Sequence, residues 1–384
     1  MDKDSFSAAS AIALNAAFGD RPLAVDGLLD RFPSAESIFT LPEKERGELF
    51  DPYGRVPAGL GDSALKAAEE EYRYLKALGV RIVSIFDKEE YPPLLRECPD
   101  APILLYVRSG RTLKELFGKG RSVSVVGTRA ESCRGEEWCR RMVKAIADRS
   151  REEVIVSGLA IGVDISAHLA AMAYGLPTVA VIPVGADDIY PRRHSLIADK
   201  IVGSGGAVIT DYPPGTQPRP YNFLRRNRII AGISPATVLV ESKVKGGGMM
   251  TCRLAAGYGR MVYAMQGRID DALSEGCNAL IAEKVADPVV SLDSLCGSLG
   301  LASGARPRLT LEERVRERLG AAADETVLAV CREIASRTGM DVEELASRLD
   351  LSYSCASRVV GLLESEGIVD TDVLRRCSIN VNFH

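Results

Sequence analysis

Four arginines, Arg219, Arg225, Arg226 and Arg228, fall within residues 215–231 with no acid among them and with Tyr221 and Phe223 beside them. Guanidinium groups grip phosphates through paired N–H donors, and aromatic faces accept stacked bases, so this mixture suits an extended single-stranded nucleic acid. Ile229 and Ile230 follow at once and must turn inward, so the four arginines cannot all share one surface. Three glycine-bearing turns carry the remaining candidate chemistry. Gly127-Thr128-Arg129 offers close backbone approach, a hydroxyl and a guanidinium. Ser157-Gly158-Leu159-Ala160-Ile161-Gly162-Val163-Asp164 leads into a helix that Asp164 would cap, and Lys243-Val244-Lys245-Gly246-Gly247-Gly248 places three glycines at a helix entrance, as an anion nest requires.

Catalytic arrangements are poor by comparison. His168 lies on an otherwise apolar helix face and reads as a packed, hydrogen-bonded side chain. His194, within Tyr190-Pro191-Arg192-Arg193-His194, suits a phosphate-facing or helix-capping place better than catalysis. Asp187-Asp188 reads as a solvated turn. No G-x-S-x-G elbow, Cys-His pairing, P-loop or clean G-x-G-x-x-G occurs, which disfavours acyl transfer, nucleotide hydrolysis and dinucleotide binding. With three histidines and nine scattered cysteines lacking any C-x-x-C pair, neither a metal site nor a disulfide framework is expected.

The elements that must position these turns are legible between residues 121 and 290. Apolar, β-branched runs at 122–127, 153–158, 178–185, 207–210, 237–242 and 261–267 alternate with helical patterns near 134–149, 164–174, 193–203, 222–231 and 250–258. That alternation predicts a doubly wound, mostly parallel α/β sheet, whose strand carboxyl ends are the usual ligand edge. All four clusters fall at such ends. Upstream, 80–86 and 103–108 read as strands around a proline-rich loop, preceded by short helices over Ser7–Phe18, around Leu23–Phe32, and over Ser63–Leu78, with Asp62 or Ser63 as cap. A Gly/Ser/Pro-rich linker follows Cys296. The tail holds a helix over Glu325–Ser336, then a helix-turn-helix ending at Gly367, a short strand and a basic turn at Arg375-Arg376, the pattern of a small winged helix.

The 384 residues, 46% hydrophobic and 26% charged, describe a globular chain of two or three domains, and the net charge of −4 by itself suggests no polyanionic partner. The average conceals a division. Residues 119–297 hold 22 basic and 18 acidic side chains, whereas 311–384 hold 9 and 14. No run reaches the ~20 apolar residues of a membrane span and no secretory signal core stands at the N-terminus, so a cytoplasmic location is expected.

In order and spacing, VVGTR, SGLAIGVDISAH, VIPVGADDIYP, ITDYPPGTQPRPYNFLRRNRIIAGIS, VLVES and GCNALIAE resemble the DprA/Smf family of DNA-processing proteins. The resemblance implies an extended Rossmann-like domain over 79–297 behind a helical, SAM-like domain over 1–78. It further implies a linker over 298–310 and a winged helix over 311–384. It also implies a homodimer that binds single-stranded DNA without cofactor or catalysis and delivers the RecA recombinase to incoming strands in natural transformation. On that likeness the DNA pocket comprises Gly127, Thr128 and Arg129, the Ser157-Gly158 turn, Arg192, and Asn222, Phe223, Arg225, Asn227 and Arg228.

Ile161, Leu224, Gly246-Gly247-Gly248 and Gln266 depart from the family's Arg, Pro, Ser-Gly-Ser and Pro. Two other readings compete. Lysine-decarboxylase-like nucleotide phosphoribohydrolases also place a Gly-rich loop after a late strand, but 248–254 lacks their catalytic acid, leaving Glu241 as the residue to test. Transcriptional control through the terminal helix-turn-helix is disfavoured, because 352–366 carries one arginine, Arg358, in an acidic domain.

Overall fold

β-Branched and small apolar residues between 122 and 239 form strands whose every residue is buried, as a parallel sheet covered on both faces demands. The computed structural model describes residues 3–19, 29, 31–50, 60–301, 311–337, 339–372 and 376–380. Most of the expected helix around Leu23, most of the linker, and Arg375 lie outside the described residues. The chain divides into two units, Met1–Ser303 and Gly304–His384.

In the first unit a nine-stranded sheet runs in the order β1-β2-β6-β5-β4-β3-β7-β8-β9. The strands are β1 (Arg81–Ser84), β2 (Leu104–Ser109), β3 (Ser122–Val126), β4 (Val154–Ser157), β5 (Thr178–Val181), β6 (Ala207–Thr210), β7 (Ala236–Leu239), β8 (Met261–Ala264) and β9 (Asp287–Pro288). β6 through β9 are parallel, and the two upstream strands join the same sheet antiparallel through β2 against β6. Starting from β3, the chain steps outward through β4, β5 and β6, then returns to place β7 on the other side of β3. The winding direction therefore reverses between β3 and β7, the place where open α/β sheets leave a crevice. The fold is the expected Rossmann-like α/β sheet.

Before the sheet come α1 (Lys3–Phe18), α2 (Ala35–Phe39), α3 (Glu43–Phe50) and α4 (Asp62–Ala77). Gly61, with no side-chain cap, precedes α4, and Asp62 instead pairs with the buried Arg46. The expected cap at Asp62 or Ser63 is thus displaced by an ion pair. Within the sheet region run α5 (Pro93–Arg96), α6 (Leu113–Phe117), α7 (Cys133–Ala147), α8 (Val163–Ala173), α9 (Ser195–Gly203), α10 (Pro220–Ile233), α11 (Gly247–Gly257), α12 (Glu275–Ala282) and α13 (Leu292–Ser298). One face of the sheet packs Met142, Val143 and Ile146 of α7 and Ala167 and Ala171 of α8; the other packs Ile229, Ile230 and Ile233 of α10 and Cys252 and Ala255 of α11. At about 1.5–3 kcal/mol per buried aliphatic side chain, these two layers fix where the carboxyl-end loops begin.

The second unit has its own core, with Val330, Ile334, Leu345, Val360 and Leu363 at its centre. Its helices are α14 (Leu311–Leu319), α15 (Glu325–Ser336), α16 (Val342–Arg348) and α17 (Tyr353–Ser365), followed by an antiparallel pair of β10 (Val369–Thr371) and β11 (Cys377–Ile379). Asp324, Asp341 and Ser352 cap α15, α16 and α17 by accepting from backbone N–H groups, and Gly367 at φ +67° ends the last helix. Helix-turn-helix plus a two-stranded wing matches the winged helix read from sequence. Among the described residues no helix is long and apolar enough to cross a membrane.

Candidate nucleic-acid interface

Segments that follow β3, β5 and β6 meet at one ring, Phe223 of α10. Arg129, exposed after β3, lays its guanidinium over Phe223 of α10 at 4.8 Å from the ring centroid. Tyr190, in the loop after β5, meets the same ring edge-on, with centroids 5.4 Å apart and planes at 77°. A cation on one aromatic face with a second aromatic at the edge keeps a flat, partly solvated surface in place, worth about 0.5–1.5 kcal/mol per ring pair. Tyr190 carries a signal in the sequence, an aromatic before Pro191 and a basic pair, although from that segment only Arg192 is in the pocket implied by the family resemblance.

Gly127 has a different role from the close ligand approach inferred for it. A Cβ there would lie 2.4 Å from Val163 Cγ2 and 3.0 Å from the Glu241 carbonyl oxygen, so the glycine lets α8 and the β7 loop close onto β3. Thr128 is held from both sides: its N–H donates to Glu241 O at 2.7 Å, and its carbonyl accepts from Val163 N–H at 3.2 Å. Gly162, at φ +79°, precedes α8 as its cap, so Asp164 sits inside the first turn. Ser157 is fully buried and donates its hydroxyl to Val125 O at 2.6 Å, which turns it away from any ligand.

α10 starts two residues earlier than expected because Pro220 occupies its first turn, where a missing N–H costs nothing. From there its arginines separate. Arg226 is buried and donates to Gly158 O at 2.7 Å and to Val181 O, tying β4 and β5 together at their ends. Burial pulls its pKa down to about 10, opposed by Asp164; burial also raises Asp164, opposed by Arg226. A Cβ on Gly158 would stand 2.6 Å from both guanidinium NH groups and from Asp164 Oδ2, so Gly158 makes room for this pair.

Arg228 is buried too. It donates to Asp100 O and to Asp211 Oδ2 at 2.6 Å; burial opposes its charge, yet Asp211 and Asp100 leave its pKa raised. Arg225 donates to Gly19 O, reaches Asp211 Oδ2 at 3.3 Å and lies over Tyr212 at 5.3 Å. Asn222 donates to Pro183 O and Gln217 O at 3.3 and 3.1 Å, and Asn227 Oδ1 accepts from Arg226 at 3.3 Å. Of the five residues assigned to this loop, the structure therefore brings Phe223 to the ring cluster and fastens Asn222, Arg225, Asn227 and Arg228 inside the scaffold. Asp211 faces both Arg225 and Arg228.

Further exposed cations lie after β5, β6 and β7. Arg192 and Arg193 follow Tyr190 in a 3-10 turn, Arg219 precedes α10, and Lys243 and Lys245 follow β7; none of the five pairs with a carboxylate among the described residues. His194, by contrast, is buried and donates from Nδ1 to Leu159 O at 2.8 Å, holding that residue at φ +59°. It occupies the N-cap position of α9, as one of the two sequence readings had it, but makes no side-chain capping bond and does not face solvent as a phosphate contact would. His168 is packed and hydrogen-bonded as expected: Nδ1 meets the Thr178 hydroxyl at 2.7 Å, which itself donates to Ile155 O, and burial pushes its pKa down to about 3.

The acids near this edge are engaged. Glu241 is buried, accepts from Ser132 N–H at 3.0 Å and from its hydroxyl at 2.5 Å, and so places negative charge at the start of α7. Glu131 accepts from the Ser166 hydroxyl at 2.6 Å, and burial raises its pKa to about 7. Among the described residues no group of three His, Cys, Asp or Glu is placed to hold a metal ion.

A family model described as DNA recombination-mediator protein A matches residues 82–300. The chain belongs to this family. DNA processing protein DprA of Streptococcus pneumoniae is 42% identical over 193 residues, covering 50% of this chain and 66% of that protein. Protein Smf of Escherichia coli is 38% identical over 212 residues, covering 54% and 55%. This chain thus spans between about half and two thirds of the length of these curated relatives. The putative DNA processing protein DprA of Mycobacterium tuberculosis is 31% identical over 322 residues, 79% of this chain and 78% of that protein. The X-ray structure of S. pneumoniae DprA aligns with TM-score 0.57 at 30% identity, covering 77% of this chain and 94% of that one. A DprA structure from Helicobacter pylori, determined for its single-stranded DNA binding mode, aligns with TM-score 0.50 at 25% identity, covering 57% and 95%.

Within the DNA recombination-mediator family this chain's departures have local consequences. Gly248 abuts the sheet: a Cβ would lie 2.7 Å from Leu239 Cδ1 and 3.3 Å from Gly127 Cα. A Cβ on Gly246 would lie 2.1 Å from Ser242 Oγ, whereas one on Gly247 would meet open space. Ile161 is half-buried, and Leu224 and Gln266 are exposed.

Proposed function

We infer that this protein binds single-stranded DNA along the carboxyl edge of its sheet, stacking a base against the Phe223 and Tyr190 rings while Arg129 and the exposed cations follow the phosphates. The observation that carries the reading is the Arg129–Phe223–Tyr190 cluster, built from two loops and α10, with exposed cations without carboxylate partners on the same strand-end segments. The family's description as a recombination mediator, and the strand-binding mode studied in the H. pylori relative, support it. Binding occurs without chemistry, since Glu241 is committed to α7 and His168 is neutral and buried. A homodimer that hands its strand to RecA is the fuller form of this proposal, and co-elution of the DNA-loaded protein with RecA tests that part.

The DNA part is tested by fluorescence anisotropy with an oligothymidine and a duplex of equal length at two salt concentrations. The single strand is expected to bind more tightly, with affinity falling as salt rises. Arg129→Ala is expected to weaken it by about 1–3 kcal/mol, within the range of a stacked base or a phosphate contact. Equal binding of both DNAs, or an unaffected Arg129→Ala variant, would overturn the assignment.

A further inference from the structure

Leu224 follows Phe223 in α10 but faces another surface, an open groove of about 530 Å³ whose opposite wall is Met250 and Leu254 of α11. Leu224 is 45% exposed and Met250 38%, so these side chains confront each other across solvent instead of filling a core. The backbone of Gly246 and Gly247 forms one end. Lys245 stands at the mouth with no carboxylate partner among the described residues, while Arg253 is held by Glu283 at 2.7 Å. No carboxylate or amide side chain is among the groove's lining residues.

The groove lies at the same strand-end edge as the ring cluster. Leu224 is the residue after Phe223, and α11 begins against Gly127, two residues before Arg129. That adjacency brings the opening within reach of a nucleotide neighbouring one whose base lies on Phe223.

We propose that the groove is a second base subsite: it takes a nucleobase of the same DNA strand between Leu224 and Met250, with the adjoining phosphate at Lys245. The proposal rests on the DNA reading above. Apolar walls and a thioether contact aromatic rings favourably, and the volume falls in the range of small-molecule sites. With no carboxylate or amide side chain among its lining residues to address a base edge, and with Arg253 engaged by Glu283, the subsite accepts any base. A positive mouth and the absence of acids favour a nucleotide over an unrelated apolar ligand.

The test uses the full chain, an oligothymidine, and a set of oligomers of the same length with one abasic position walked along the strand. In the parent, an abasic residue at the groove position is expected to lower affinity about tenfold, as loss of one stacked base does. The Leu224→Ala/Met250→Ala variant should lose about the same on the intact oligomer. It should then ignore the abasic residue at that position while staying sensitive to one over Phe223. Replacing thymine by adenine should change this contribution less than threefold.

An unchanged affinity in the variant, or an abasic penalty that persists at the groove position, overturns the subsite alone. Changed oligomeric mass in light scattering with unchanged DNA affinity does the same, reassigning the groove to contacts between copies. A parent that binds no single strand overturns the DNA reading and the subsite together.

Discussion

Two buried groups determine whether the ring cluster has a platform, and neither faces the DNA. Arg226 bridges the ends of β4 and β5 and faces Asp164 inside the protein. Removing one member of a buried charge pair leaves the other uncompensated, which typically costs 3–5 kcal/mol. Arg226→Ala is therefore expected to lower the unfolding free energy by about that amount in urea titrations; a loss below about 1 kcal/mol would show that Asp164 is satisfied elsewhere.

His168 gives a pH signature. Its pKa is about 3 in the folded chain because burial disfavours the cation, against about 6.5 when unfolded. Between those values the unfolded state binds the extra proton, so stability contributed by this site is complete above pH 6.5 and falls as pH drops toward 3. Glu131, raised to about 7, works in the opposite sense, so the comparison must be against a His168→Gln variant. The stability difference between parent and variant should shrink by about 1.4 kcal/mol per pH unit between pH 6 and 4; a pH-independent difference refutes the assignment.

At the level of elements, the glycines separate into those that allow helices to close and those that border open space. Gly127→Ala would drive a carbon into Val163, the first residue of α8, and overpacking of this kind costs about 1–3 kcal/mol. Gly247→Ala, with nothing nearby and a place in the first turn of α11, should fall within about 0.5 kcal/mol of the parent. Thermal unfolding of the two variants distinguishes them, and a destabilised Gly247→Ala would contradict the packing described.

The sequence carried the strand and helix order well, because buried parallel strands and amphipathic helices differ in period over enough residues to be separated. It also singled out Arg129 and Phe223, which the structure brings together after β3 and in the first turn of α10. What it did not carry was direction. Arg225, Arg226 and Arg228 look alike in composition, and only the helical phase together with Asp211 and Asp164, distant in sequence, turns them inward. The contact of Tyr190 with Phe223 and the Leu224–Met250 groove are not legible in the sequence because each arises only when α10 packs beside other segments.

At the scale of the whole molecule, the charge of −4 resolves into an electropositive centre between acidic flanks. Exposed Arg192, Arg193, Arg219, Lys243 and Lys245 belong to the first unit, and so do all parts of the ring cluster. The second unit has its own core, and its sequence from residue 311 carries 9 basic and 14 acidic side chains. Since release of counterions by cations governs both the affinity for a strand and its salt dependence, an acidic unit contributes little to either. A chain ending at Ser303 is therefore expected to retain single-strand affinity within about twofold, with the same slope of log affinity against log salt. A loss of more than about tenfold, or a shallower slope, would place phosphate contacts in the second unit. That result would revive duplex recognition through Arg358 and its helix, in which case duplex affinity should fall by more than single-strand affinity on truncation.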